Sequence, residues 1–402
     1  MATNGTADLS IDLKTRCVVC NKDMVTKISG KRIVFPDGVR EGEIYIENGK
    51  IASVGEKMPY DDEISVTDGY VLPGFIDIHT HGAVDHDFVS SSPDQIIEAV
   101  AYHALHGTTS IMPTISSYSY ETTYRALENL EVAMKDEEYG RAIIGAHLEG
   151  PYFSLKQSGA QDPANITEPK REDYTRLVER FGSIIKRWDF APERDNDGEF
   201  CSYLTEHGII AAAGHTDAKY SDMCLSREKG LKLITHLYSC TSTITREQGF
   251  RVLGVTECAY LWDDIYAELI ADGRHLPHEL LSLIFKLKRH DRLILITDSL
   301  MAAGSEKDRG VMGNIEYIIE DGVCKLPDRS AFAGSIATTN RLLRVAINAG
   351  LELSDAVKML GENPAGLFGL NTGAIASGRD ADLLICDGNL NIEKVILKGE
   401  EI

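Results

Sequence analysis

Arg292-Leu293-Ile294-Leu295-Ile296-Thr297-Asp298 is a short run of leucine and isoleucine that ends abruptly in an acid. A run without a polar face reads as a parallel strand buried on both sides inside an α/β fold. An aspartate at its C-terminal tip stands where such folds place their chemistry. Four other apolar runs end in the same way. Ile76-Asp77-Ile78 leads to His79 and His81, and 143–148 leads to Glu149. The run 209–214 leads to His215, and Leu233-Ile234-Thr235 leads to His236. Five strand ends that all carry metal-ligand side chains are hard to explain as packing.

Working outward, strand-like runs alternate with helix-length amphipathic segments from Leu72 onward, the rhythm of a parallel sheet. Eight strands are expected, at 72–78, 108–114, 142–148, 184–190, 208–214, 231–236, 266–271 and 291–297. Helices are expected between them at 93–105, 120–134, 172–181 and 277–288, with 338–349 and 353–368 closing the ring. This is an α/β pattern, a (β/α)8 TIM-like barrel over residues 71–370. Residues 1–70 instead alternate and turn often, with an Asn48-Gly49 hairpin signal between two alternating runs. The β texture returns over 371–402, where a turn at Asp387-Gly388 separates two strand-like runs. The two chain ends are expected to form one small β-sandwich domain.

The chain has 402 residues, 43% hydrophobic and 26% charged, as in an ordinary soluble globular protein. Its formal net charge of −21 argues against nucleic acid or an anionic membrane surface as partner. Residues 1–14 are polar, and no apolar run approaches bilayer length. A cytoplasmic protein with reduced thiols is the expectation. Cys17-Val18-Val19-Cys20 has CxxC spacing but no second CxxC, and it reads as ordinary cysteines rather than as a zinc or redox site.

In a strand, residues two apart share a face, so His79 and His81 would both point into the barrel mouth. Glu149, His215 and His236 form a set of one carboxylate and two imidazoles. That set suits a borderline divalent ion, zinc first, with a position left for water. His147 shares a face with Glu149 and reads as a buried hydrogen-bonding partner. Asp298 could take a proton from water at the metal and pass it to a leaving amine; the competing reading is a helix N-cap.

The stretch 76–82 with a strand-8 aspartate resembles the amidohydrolase superfamily. Within it, 147–153, 213–216, 235–238, 271–275 and 332–335 are similar to the N-acetylglucosamine-6-phosphate deacetylase family. The motifs occur in family order from about Gly69 to the C-terminus. The resemblance implies that Glu149, His215 and His236 bind the catalytic metal. His79 and His81, with Asp298 and a bridging Glu149, would hold a second ion; some members have one and some two. It implies that His275 polarises the acetyl carbonyl and that Asp298 is the acid–base. Asp272, Phe332, Ala333 and Gly334 would line the sugar pocket, with Ala160 and Gln161 at a sugar-contacting position. Arg246 matches an arginine that the family supplies to the phosphate across a homodimer interface. Three features depart from the pattern. Ser239-Cys240 replaces Asn-Ala, Gln161 replaces a histidine, and the loop before Arg246 is one residue short.

The activity this implies is metal-dependent hydrolysis of N-acetylglucosamine 6-phosphate to glucosamine 6-phosphate and acetate. The departures leave open the galacto epimer or another N-acyl substrate. A non-enzymatic binding protein on the same barrel is the remote alternative, since such proteins lose ligands that this chain keeps.

Overall fold

A computed structural model describes residues 24–402, so the Cys17–Cys20 pair lies outside the described residues. The eight barrel strands are β1 (Phe75–Thr80), β2 (Thr108–Ile115), β3 (Ala146–Glu149), β4 (Ile185–Phe190), β5 (Ile210–Ala213), β6 (Leu233–Ile234), β7 (Tyr266–Ile270) and β8 (Leu293–Ile296). Each is parallel to its neighbour, in chain order. The ends meet where the Asp298 amide donates to His79 O at 2.9 Å and the His81 amide donates to Ser299 O at 2.7 Å. The sheet is thereby closed, with all eight C-terminal ends at one rim.

The helices form for legible reasons. α1 (Pro93–Leu105) starts with a capping box: Ser92 Oγ accepts from the Gln95 amide, and the Ser92 amide donates to Gln95 Oε1. Proline at the first helical position loses no hydrogen bond. Its Ile96, Ala99, Val100 and Ala104 recur at helical spacing and are buried against the barrel. The expected single helix over 353–368 is two, Leu353–Leu360 and Glu362–Phe368. Gly361 separates them, because the chain packs there against Gly373 O, 2.4 Å from where a Cβ would sit.

The expected first strand also divides. Tyr70–Pro73 pairs antiparallel with Leu383–Cys386, whereas β1 begins at Phe75. Gly74 lies at the crossing, where a Cβ would fall 2.1 Å from Thr109 Oγ1. The second sheet therefore joins strands from both chain ends. Thr26–Phe35 branches it, pairing with Asp62–Val66 through residues 26–30 and with Tyr70–Pro73 at Ile33. Both arms share one apolar core that includes Ile28, Ile44, Val66, Leu383 and Ile396.

The sequence reading did not anticipate a four-stranded antiparallel sheet after β8: Arg309–Met312, Ile315–Glu320, Val323–Lys325 and Phe332–Gly334. Asp321-Gly322, between two of its strands, is a hairpin signal that could have marked it. Among the described residues no helix is long and apolar enough to cross a membrane.

Candidate active site

A cavity of about 270 Å³ opens at the rim. All the site residues singled out above line it except His79, His147, Asp272 and Arg246. Tyr238, Ile270, Met312 and Ala331 complete the lining and were not anticipated.

At its floor, Glu149 Oε1 lies 3.1 Å from His215 Nε2 and 3.3 Å from His236 Nε2, and the two imidazole nitrogens are 3.2 Å apart. The Nδ1 atoms are already committed, His215 donating to Gln157 O at 2.9 Å and His236 to Ser239 O at 3.0 Å. A neutral ring protonated at Nδ1 leaves Nε2 as a bare lone pair. Two lone pairs and a carboxylate oxygen facing one another so closely repel unless a cation sits among them. Their spacing is close to the roughly 3.3 Å edge of a tetrahedron with bonds of about 2.0 Å. The residues present fit a divalent metal.

A second set adjoins the first. His79 is fully buried beneath the cavity, its Nε2 3.4 Å from Glu149 Oε1 and 3.6 Å from Asp298 Oδ1, with no hydrogen-bond partner. His81 Nε2 is 3.1 Å from Asp298 Oδ1 and 3.6 Å from Glu149 Oε2, and its Nδ1 is 3.0 Å from Ser116 Oγ. His147 is hydrogen-bonded through Nδ1 to Thr114 Oγ1 at 3.0 Å, and its Nε2 lies 3.0 Å from Asp189 Oδ1 without forming a hydrogen bond.

The charges follow from this crowding. Burial works against ionised Glu149, but His215, His236 and His79 hold its carboxyl well below the usual range. Burial likewise opposes ionised Asp298, but His79 and His81 depress it. His79 and His215 are raised well above their ordinary value, again against burial. Asp298 and Glu149 do this for His79, and Cys240 and Glu149 for His215.

The backbone contributes too. His215, His236 and Asp298 have φ of 45°, 28° and 47°, as do Tyr238 at 76° and Cys240 at 48°. Left-handed conformations are rare for such residues and cluster at functional sites. Here they turn the chain off the strand end and aim side chains into the cavity. No helix starts at Asp298, which removes the N-cap reading.

Two expected contacts differ. Asp272 is buried and does not line the sugar pocket. Its Oδ1 accepts from the Arg274 and His275 amides at 2.8 and 2.9 Å, and its Oδ2 is 3.0 Å from His275 Nδ1. It therefore orients His275, whose Nε2 is left for the cavity. Gln161 lines the cavity, but both ends of its amide are engaged. Its Oε1 accepts from the Ser117 amide at 3.0 Å and its Nε2 donates to Glu149 Oε2 at 2.7 Å. Arg246 sits on an exposed hairpin (Thr245–Glu247, Phe250–Val252) and does not enter its own chain's cavity. No Lys or Arg lines that cavity among the described residues.

Sequence reasoning missed a buried group below the floor. Arg187 is fully buried with Asp189 and Glu268. Its Nε donates to Asp189 Oδ1 at 2.8 Å and its Nη2 to Glu268 Oε2 at 3.0 Å; Nη1 also donates to Glu268 Oε1. Charged residues inside strands with no solvent face were the available signal.

The model of the amidohydrolase family matches residues 70–402. The N-acetylglucosamine-6-phosphate deacetylase of Bacillus subtilis (strain 168) is 32% identical over 373 residues, 90% of this chain and 92% of that protein. The N-acetylgalactosamine-6-phosphate deacetylase of Escherichia coli O157:H7 is 25% identical, covering 94% of this chain and 99% of that protein. Among solved structures, a mutant N-acetyl-D-glucosamine-6-phosphate deacetylase of Mycobacterium smegmatis in complex with N-acetyl-D-glucosamine-6-phosphate superposes with a TM-score of 0.87. It is 27% identical, over 94% of this chain and 99% of that one. The chain belongs to the amidohydrolase family, in its N-acetylglucosamine-6-phosphate deacetylase group.

Proposed function

We propose that the protein removes the acetyl group from N-acetylglucosamine 6-phosphate, giving glucosamine 6-phosphate and acetate. The observation that carries this reading is the triangle of Glu149, His215 and His236 in one cavity with Asp298 and His275. Zinc is the proposed ion, and that triangle would hold it; His79, His81 and Glu149 form a second candidate set with Asp298 beside them. A divalent cation there supplies Lewis acidity and lowers the pKa of water.

The chain's own groups do the rest. Asp298 takes the proton of the attacking water and returns it to the departing amine nitrogen, as a general base and then acid. His275, its Nδ1–H held by Asp272, places Nε2 in the cavity. That nitrogen faces the carbonyl oxygen on which negative charge develops, and Asp272 fixes the ring's orientation. Gln161 keeps Glu149 in place through its short contact. Phe332 packs edge-on to His275 at 4.9 Å and limits that ring's rotation.

The phosphate has no cation in its own subunit's cavity. A homodimer that brings in a second copy's Arg246 supplies one, and the exposed Ile244 and Phe250 beside it, 50% and 76% accessible, support that surface as an interface. The unpaired cysteines among the described residues, Cys201, Cys224, Cys240, Cys258, Cys324 and Cys386, support a reducing compartment such as the cytoplasm. Sheet membership supports a barrel domain that begins at the Gly74 seam and a small β domain drawn from strands on either side of it in the chain.

Acetate release by zinc-loaded protein should favour N-acetylglucosamine 6-phosphate over its galacto epimer and over the unphosphorylated sugar. Activity confined to another N-acyl compound would move the assignment there.

A further inference from the structure

We propose that Glu268, clamped by Arg187, is the positioning residue that prepares His79 for metal. Glu268 Oε2 stands 3.4 Å from His79 Nδ1 and accepts from the His236 amide at 3.3 Å. One carboxylate oxygen thus touches a ring of one ligand and the backbone of another. The Arg187 guanidinium faces both oxygens of Glu268, so they act only as acceptors. The proton of a neutral His79 must then lie on Nδ1, and its Nε2 lone pair faces Glu149 and Asp298. Without this acceptor the ring could place its proton on Nε2, where it would block the ion.

The group also carries charge. Arg187 is shared between Asp189 and Glu268, and Thr235 Oγ1 accepts from Arg187 Nη2 at 2.9 Å while donating to Asp189 Oδ2 at 2.7 Å. One guanidinium against two carboxylates leaves a net negative charge sealed in the barrel directly below the metal ligands. That charge is common to Asp189 and Glu268, so contact with the ligand residues is what tells them apart. The group is therefore asymmetric in function. Glu268 touches ligands, whereas Asp189 touches Arg187, Thr235 and His147, which ligates nothing in the proposed site.

This inference rests on the metal reading of the cavity, and the test separates the two. Zinc content is measured first, then the rate at which a chromogenic chelator strips zinc from wild type, Glu268→Gln and Asp189→Asn. Outer-shell partners of metal ligands are typically worth 10–100-fold in affinity. Glu268→Gln should release zinc faster by about that factor, with kcat lowered, KM unchanged and activity restored by excess zinc. Asp189→Asn removes the same charge from the same group and should release zinc at a rate near wild type. Glu268→Asp keeps the charge but withdraws the carboxylate from His79; it should behave like Glu268→Gln, and it replaces that variant if the amide does not fold. Equal acceleration by Asp189→Asn, or an unchanged rate in the Glu268 variants, would overturn the proposal. So would loss of thermal stability in the metal-free protein without faster release. A wild type that holds no zinc would instead overturn the metal reading itself.

Discussion

The wall of the cavity built from strand ends differs from the wall built from loops. On the strand side, the Nδ1 atoms of His79, His81, His215 and His236 face Glu268, Ser116, Gln157 O and Ser239 O, and Nε2 is left for chemistry. On the loop side stand Ala160, Ser239, Cys240 and the Phe332–Gly334 strand, with no cation among them. The first wall is over-determined by hydrogen bonds. The second offers shape and a few small polar atoms, and no charge to recognise a phosphate. Chemistry is therefore rigidly held in one chain, whereas substrate choice is open to change in short loops.

This contrast can be broken at several points. The largest effects belong to the strand wall. Asp298→Asn should lower kcat roughly 100- to 10,000-fold while zinc stays bound, measured by acetate release and metal content. His236→Ala should lose the metal as well, with activity down about 1,000-fold or more. A strand-wall variant with near-full activity would end the assignment. On the loop wall, Arg246→Ala should raise KM for the phosphorylated sugar about tenfold, the value of one charged hydrogen bond. It should leave kcat and the unphosphorylated sugar untouched; a kcat effect instead would place Arg246 elsewhere in the mechanism. The double change Ser239→Asn with Cys240→Ala should alter KM only a few-fold, since neutral hydrogen bonds are at stake.

A last test concerns pH. In the metal-free protein, the raised His79 and His215 contribute stability that is complete below pH about 6.5 and lost as pH rises through their folded pKa values. The depressed Glu149 and Asp298 contribute stability that is present above pH about 4 and lost below it. The melting midpoint of chelated protein should thus fall as pH rises above about 6.5, by about 1 °C per kcal/mol lost. Zinc-loaded protein should not follow, because its imidazoles are already neutral ligands.

The barrel was legible because parallel strands buried on both faces leave unbroken apolar runs, and because five of those runs stop at His, Glu or Asp. Their joint placement at one rim was legible from parallel order alone. Other features left weaker marks. The left-handed turns at His215, His236 and Asp298 carry no glycine, so nothing in the chain announces them. Asp272 and Gln161 face inward to His275 and Glu149 rather than outward to sugar, a choice set by backbone amides of residues near and far. Glu268 lies alone in an apolar strand, and its partner Arg187 is 81 residues away. Long-range pairing of that kind has no local pattern.

The pairing of Tyr70–Pro73 with Leu383–Cys386 has a consequence during synthesis. At roughly 5–20 residues per second, the earlier strand waits about 15–60 s on the ribosome for its partner. Over that interval the backbone edge and the apolar Val71 and Leu72 stay uncovered while the whole barrel is made. A later segment of the chain closes an edge opened by a much earlier one. A growing chain interrupted before Leu383 would therefore carry a sticky strand next to a finished barrel, and would be marked for capture by chaperone or protease.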